Sequence, residues 1–284
     1  MSDKLNGILL INKPANITSF GVIAKLRKSL NIKKIGHSGT LDPNATGLLV
    51  IMIGQSTKLL PYLDYQDKTY EFSMKLGIKT STGDVWGEVI EKAEIPHITN
   101  KDIIDVFKSF IGEYQQLPPM VSAIKINGKK LYEYARENIE VTRQSRVVQI
   151  KKLDFITNEV NEIKGVVVCS KGTYVRTLCE DIAKRLNTVG TMTSLNRLKI
   201  GELSLASAYT IEMVDQGDYN LLNAKTVLKD YELIKYDKIE DILNGKKILL
   251  DTNSDIVAIE YDNDVIAIYK RERENLFRCD RGLW

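Results

Sequence analysis

Apolar positions along the chain follow two different periods, and the changes between them mark its elements. Residues 7–12, GILLIN, form a short apolar run that predicts a strand, followed by a turn around Pro14. Thr18 or Ser19 caps a helix whose apolar stripe is Val22, Ile23, Leu26 and Leu30. Residues 48–53, LLVIMI, read as a buried strand, and Ser56 or Thr57 opens a further helix reaching Leu63. In KTYEFSMKL, 68–76, the residues Tyr70, Phe72, Met74 and Leu76 alternate with polar neighbours, which predicts a half-buried strand. Ile103, Ile104, Phe107, Phe110 and Ile111 return to helical spacing behind a Thr99/Asn100 cap, with Gly112 as the stop.

Pro118-Pro119 interrupts this pattern. Beyond it, Asn127-Gly128 lies between two strand-like flanks and predicts a hairpin. Strands near 147–156 and 163–170 lead into a helix with the apolar face Val175, Leu178, Ile182 and Leu186. Strands and helices mix without regular βαβ alternation, so the expected class is α+β rather than doubly wound. After about Asp230 the texture changes. ILNGKKILL, DIVAIEYDND and VIAIYKRE read as short strands with turn signals at Asn244-Gly245 and Asn263-Asp264, hence a small β-rich C-terminal module.

Composition narrows the class of protein. The chain has 284 residues, 43% hydrophobic and 27% charged, with a net charge of +3. No apolar run approaches the ~20 residues of a membrane span, and MSDKLNG at the start lacks a signal-peptide pattern. Cys169, Cys179 and Cys279 are spaced like neither a disulfide nor a zinc framework. A cytoplasmic protein without a membrane partner is expected. The modest charge leaves the question of a nucleic-acid partner to local patches.

Three stretches carry candidate chemistry. The first is GHSGTLDPNATG, 36–47, which packs glycines around Asp42 and around His37, one of only two histidines. It matches neither the Walker nor the dinucleotide glycine pattern, so no nucleotide cofactor is expected. His37 and His97 sit in no metal-ligand motif, and no G-x-S-x-G elbow accompanies them, so no metal is expected either. That leaves Asp42 alone. A lone carboxylate serves as nucleophile or electrostatic stabiliser in glycosyl-bond chemistry. An Asp before Pro is equally a turn starter, bonding nearby backbone N–H groups.

The second stretch is CSKGTYVRTL, 169–178, where Tyr174 and Arg176 fall in the first turn of the predicted helix. The helix dipole disfavours a cation there. Either Arg176 has an anionic partner, a phosphate or a carboxylate such as Asp42, or it is a solvated surface arginine. The third stretch is 118–152. Lys125, Lys129, Lys130, Arg136, Arg143, Arg146, Lys151 and Lys152 stand against Glu133, Glu137 and Glu140, a local net of +5, with Tyr132 and Tyr134 interleaved. This composition suits an RNA backbone with exposed bases, and equally an ordinary solvated face.

Taken in order, LLINKP (9–14), GHSGTLDPNATGLL (36–49), KTY (68–70), PPMVSAIKINGKKLYEYAR (118–136) and CSKGTYVRTL (169–178) resemble the motifs of the bacterial-type tRNA pseudouridine-55 synthases of the TruB family. The resemblance covers most of residues 7–200. It implies a mixed-sheet α+β catalytic domain over 1–228, containing an RNA-binding insert at 118–152, and a PUA-type module over 229–284. It implies a cytoplasmic isomerase that needs no cofactor, acts as a monomer, binds the T-arm of tRNA and converts a flipped-out uridine to pseudouridine. By the same resemblance Asp42, Tyr70 and Arg176 are the catalytic residues, with Arg176 paired to Asp42. His37, Tyr174, Leu195, Lys129 and Lys130 bind the substrate. Two positions depart from the family pattern: Ser38 stands where Thr is common, and Asn196 where a second arginine is frequent. The 229–284 segment has ten Lys/Arg and thirteen Asp/Glu, unfavourable for a polyanion. Two other functions remain open on the sequence: a non-catalytic tRNA-folding chaperone, and a synthase acting on another RNA stem-loop.

Overall fold

The apolar run at the start of the chain forms β1 (Gly7–Lys13), buried at every residue except Asn12. The computed structural model describes residues 5–63, 66–137 and 139–284. Residues 1–4, within MSDKLNG, and Asn138, within the predicted insert, lie outside the described residues, as do 64 and 65. After β1 the Thr18 hydroxyl accepts from the Gly21 N–H and starts α1 (Ser19–Leu30), which buries Val22, Ile23 and Leu26. Next come β2 (Ile35–Ser38) and β3 (Thr46–Ile53). β3 pairs antiparallel with β1 along its length and with β2 near its end. The helix expected to begin at Ser56 or Thr57 begins earlier. A 3-10 turn opens at Gly54 without a side-chain cap and passes into α2 (Leu60–Leu63).

The described residues divide into two compact units. One comprises 5–43, 47–63 and 203–284. The other comprises 44–46, 66–137 and 139–202. The second unit is built on β4 (Lys68–Leu76), whose predicted alternation holds, with Phe72, Met74 and Leu76 buried. A hairpin of β5 (Ile78–Thr80) and β6 (Val89–Lys92) follows. α3 (Asn100–Lys108) starts at a reciprocal cap: the Asp102 N–H donates to the Thr99 hydroxyl and the Thr99 N–H to the Asp102 carboxylate. It buries Ile103 and Phe107 but leaves Ile104 exposed.

Then come β7 (Gly112–Gln116), β8 (Lys125–Ile126), β9 (Lys129–Lys130), α4 (Leu131–Arg136), β10 (Arg146–Glu159), β11 (Glu162–Cys169), α5 (Val175–Arg185) and β12 (Gly190–Ile200). β8 and β9 form the predicted hairpin, with Asn127 and Gly128 both at positive φ. Within the unit the strand order is β12-β4-β11-β10-β7, each neighbour antiparallel. α5 lays Val175, Leu178, Cys179, Ile182, Ala183 and Leu186 into the core beneath it, together with Phe72, Phe107 and Ile163.

The β10–β11 turn has a poor residue for its geometry. Val160 and Asn161 are both left-handed, with φ of 48° and 65°, as a two-residue hairpin turn demands. A β-branched side chain in that region costs about 1–2 kcal/mol, and Val160 is 94% exposed, so burial returns nothing. Val160→Asn should therefore stabilise the protein by about 1 kcal/mol, raising the unfolding midpoint by about 2 °C. A midpoint at or below the wild-type value contradicts this account.

The chain returns to the first unit through β13 (Leu203–Ser204), α6 (Ile211–Asp215) and α7 (Ala224–Val227). Ile211 and Val214 of α6 join the core of α1, β1 and β3. The last residues form β14 (Glu232–Lys235), α8 (Ile239–Leu243), β15 (Ile248–Leu249), β16 (Ile256–Tyr261), β17 (Asp264–Arg273) and β18 (Leu276–Gly282). Their sheet, ordered β14-β16-β17-β18-β15, is mixed: β14 runs parallel to β16 and the other neighbours are antiparallel. Two turn assignments change. Asn244-Gly245 is not a strand connection but the stop of α8, where Gly245, at positive φ, and Lys246 donate back to Ile242 and Asp241. The β16–β17 turn falls on Asp262 and Asn263, one residue earlier than expected.

This sheet has its own core of Ile242, Ile248, Val257, Ile259, Tyr269 and Phe277. It is tied to the 54–63 segment of the same unit. The Tyr62 hydroxyl donates to the Asp280 carboxylate, and the Lys58 ammonium donates to the Gly282 carbonyl. The class is α+β throughout, with a β-rich sheet at the C-terminus.

Candidate active site

The loop carrying Asp42 is held on both flanks by buried polar side chains. Ser19, at the first position of α1 and 1% exposed, accepts the Leu41 N–H at 2.9 Å and donates to the Leu41 carbonyl at 3.1 Å. Lys13, the last residue of β1, is fully buried, and its ammonium donates to the carbonyls of Pro14, Ile17 and Pro43 at 2.7–2.9 Å. A buried ammonium is tolerated only with such partners. The residues before and after Asp42 are thus each fixed from a different element. Asp42 itself is half-buried between buried Leu41 and Ala45. Gly39 and Gly47 bound the loop at φ of 69° and 101°, where any side chain would be strained. His37 lies on β2 opposite Ile51, half-buried.

Asn44–Thr46 belong to the second unit. There the Thr46 hydroxyl donates to the Asn196 side-chain oxygen at 3.2 Å and to the Leu195 carbonyl at 3.4 Å. Asn196 therefore has a local structural partner. Leu195 stands opposite Phe72 in the β12–β4 register and packs, half-buried, on the core. Tyr70, two residues along β4, is also half-buried against that core.

Arg176 is no solvated surface residue. It is 4% exposed, and its guanidinium donates from Nη1 to the Thr82 carbonyl and from Nη2 to the Val121 carbonyl, both at 2.9 Å. The planar fork ties two separate loops to the first turn of α5, and carbonyl oxygens offset the unfavourable dipole end. Tyr174, expected in the first turn of this helix, is instead its N-cap, one residue before α5. Glu180, one turn beyond Arg176, has its carboxyl raised by burial, opposed by the charge of Lys79.

The insert presents its cations on aromatic rings. Lys129 Nζ lies 4.8 Å from the Tyr134 ring and pairs with Glu137; Lys130 Nζ lies 5.4 Å from the Tyr132 ring, with Arg136 at 5.3 Å from the same ring. At its neck, the Arg143 guanidinium donates to the Pro118 carbonyl at 2.8 Å. The buried thiols of Cys169, pushed up to about 12 by burial, and Cys179, pushed well up by the same cause, favour the protonated form.

Residues 27–175 match the family model described as TruB family pseudouridylate synthase (N terminal domain). The chain is 43% identical over 279 residues to a protein of Mesoplasma florum named tRNA pseudouridine synthase B, covering 98% of each chain. It is 39% identical over 287 residues to the protein of that name from Oceanobacillus iheyensis, covering 95% of this chain and 94% of the relative. The chain belongs to the TruB family. Its family fold extends to solved structures of low identity. The structure of an H/ACA RNP bound to a substrate RNA containing 2'-deoxyuridine superposes with a TM-score of 0.74 at 19% identity, over 98% of this chain and 85% of that one. An archaeal box H/ACA sRNP Nop10-Cbf5 complex gives 0.74 at 17%, over 98% and 86%.

Two features of this TruB-family chain escaped the sequence reasoning. Arg197 is 1% exposed and lies directly opposite Tyr70 in the β12–β4 register, so the two side chains stand on one face of the sheet. The signal was present: the arginine lies two residues after Leu195, on the inward parity of the strand. The other is a charge asymmetry in the first unit. Between Leu5 and Leu41 stand Lys13, Lys25, Arg27, Lys28, Lys33 and Lys34, and not one Asp or Glu. All but Lys13 are exposed. Nearby, burial and then the charge of Lys34 hold the Lys58 ammonium below its usual range, with Arg281 acting in the same direction. A sign count along the first forty residues would have found this patch.

Proposed function

We propose that the chain isomerises uridine to pseudouridine at position 55 in the T-loop of tRNA, with Asp42, Tyr70 and Arg176 as its catalytic residues. The observation that carries the reading is the near-full-length identity to proteins named tRNA pseudouridine synthase B. His37, Tyr174, Leu195, Lys129 and Lys130 contact the RNA in this reading. Residues 1–228 act as the catalytic domain, 118–152 as its RNA-binding insert and 229–284 as a PUA-like module of a monomeric, cytoplasmic enzyme.

The chemistry breaks N1–C1′ and forms C5–C1′, with one proton leaving C5 and one arriving at N1. Substrate and product are isomers, so neither water nor a redox partner is consumed. A stacked base in a folded loop must first be flipped out, at a cost of a few kcal/mol. Stacking on Tyr70 returns about 1–3 kcal/mol, so contacts to phosphates supply the remaining affinity. The basic insert and the acid-free stretch before Asp42 suit that task. Asp42, acting as a carboxylate, serves the glycosyl step as nucleophile or electrostatic stabiliser. Tyr70 takes the C5 proton.

Incubation of the purified protein with an unmodified tRNA transcript, followed by mapping of pseudouridine, tests the proposal. One converted uridine in the T-loop is expected. No conversion by the protein alone, or conversion only when a guide RNA is supplied, overturns it.

A further inference from the structure

Gln116 ends β7 with its side chain fully buried. Its carboxamide faces the backbone of a single residue: Oε1 accepts the Tyr174 N–H at 2.7 Å, and Nε2 donates to the Tyr174 carbonyl at 3.0 Å. Meeting both groups of one residue copies a rung of a β-ladder and fixes its position and orientation together. Tyr174 is the N-cap of α5, and an N-cap N–H has no intrahelical acceptor, so Gln116 supplies the one it needs. We propose that Gln116 is a positioning residue for the reaction: it sets Tyr174 and, through the first turn of α5, aims Arg176. This inference rests on the reading of Tyr174 and Arg176 as site residues.

The strand register adds a second hold on the same residue. Arg146, the first residue of β10, is the direct partner of Gln116 in the β10–β7 ladder. Direct partners project to one face of a sheet, and the Arg146 guanidinium lies 5.7 Å from the centre of the Tyr174 ring. One cross-strand pair therefore holds Tyr174 twice, Gln116 by its backbone and Arg146 by its ring. The chain leaving β7 continues the attachment. The Thr177 hydroxyl donates to the Leu117 carbonyl at 3.4 Å and Arg176 to the Val121 carbonyl at 2.9 Å. Positions 174, 176 and 177 are each anchored within the six residues 116–121. Glutamine is required because the task needs a donor and an acceptor at one point: glutamate lacks the donor, and apolar residues of its size lack both.

The test is Gln116→Met, similar in shape and unable to hydrogen-bond, measured beside Arg176→Lys. With folding confirmed by circular dichroism, kcat should fall about ten-fold or more, since small misplacements of reacting groups cost this much, while KM for tRNA stays within about three-fold because affinity is spread over phosphate contacts. Gln116→Asn keeps both groups one methylene short and should give an intermediate kcat with KM unchanged. It also serves as the test if the methionine variant does not fold. A wild-type kcat in a folded variant, or losses in kcat and KM that merely track the folded fraction, overturns the positioning role. A wild-type rate in Arg176→Lys instead overturns the reading of the site, whatever Gln116 does.

Discussion

Asp42→Asn should abolish turnover while leaving tRNA affinity within a few-fold of wild type. The substitution is nearly isosteric, and the backbone on both sides of it is held by other residues: Ser19 holds Leu41 on one side and Lys13 holds Pro43 on the other. The loop therefore keeps its course, and what disappears is the charge. Removing a reacting group from a preorganised site typically costs roughly 10⁴-fold or more in kcat. The measurement is single-turnover release of label from tRNA carrying [5-³H]uridine, beside a binding titration. Retained turnover removes Asp42 from the chemistry. A parallel collapse of affinity makes it a folding or docking residue instead.

Arg176→Lys should lower kcat by roughly 100-fold or more, the usual loss when one preorganised donor is removed from such a site. Charge is preserved, so the loss isolates geometry. The guanidinium reaches Thr82 from one terminal nitrogen and Val121 from the other. A single ammonium on a flexible stem does not reproduce that planar spread. Arg176 is 4% exposed, so no water readily replaces the lost donor, and a carbonyl left without its partner costs about 1–3 kcal/mol. A rate within two-fold of wild type in this variant overturns the reading of Arg176 as a catalytic residue.

The sequence made legible whatever depends on near neighbours. The alternation of Phe72, Met74 and Leu76 marks β4, the stripe Val175, Leu178, Ile182, Leu186 marks α5, and Asn127-Gly128 marks its hairpin, because each signal spans only a few residues. Asn244-Gly245 misled for a related reason. The same dipeptide suits a two-residue hairpin turn and the end of a helix, and the five residues of α8 are too few to show a 3.6-residue period. The candidate site was legible as motifs but not as supports. The two carbonyls that hold Arg176 come from 94 and 55 residues earlier in the chain, and Ser19 lies 22 residues before Leu41. No periodicity encodes such pairs. Lys13 and Gln116 likewise look like ordinary polar residues at strand ends until their burial is seen.

The acid-free stretch from Leu5 to Leu41 bears on folding as well as on recognition. Five exposed cations in one stretch repel one another in the free protein, with the Asp215 carboxylate, hydrogen-bonded to Ser29, as a negative group beside them. Added salt screens that repulsion and favours the native state, yet the same salt weakens any attachment to a polyanion. Ionic strength thus acts with opposite signs on two properties of one surface. A polyanion bound there relieves the repulsion directly, so the partner supplies part of the stability that the isolated chain forgoes.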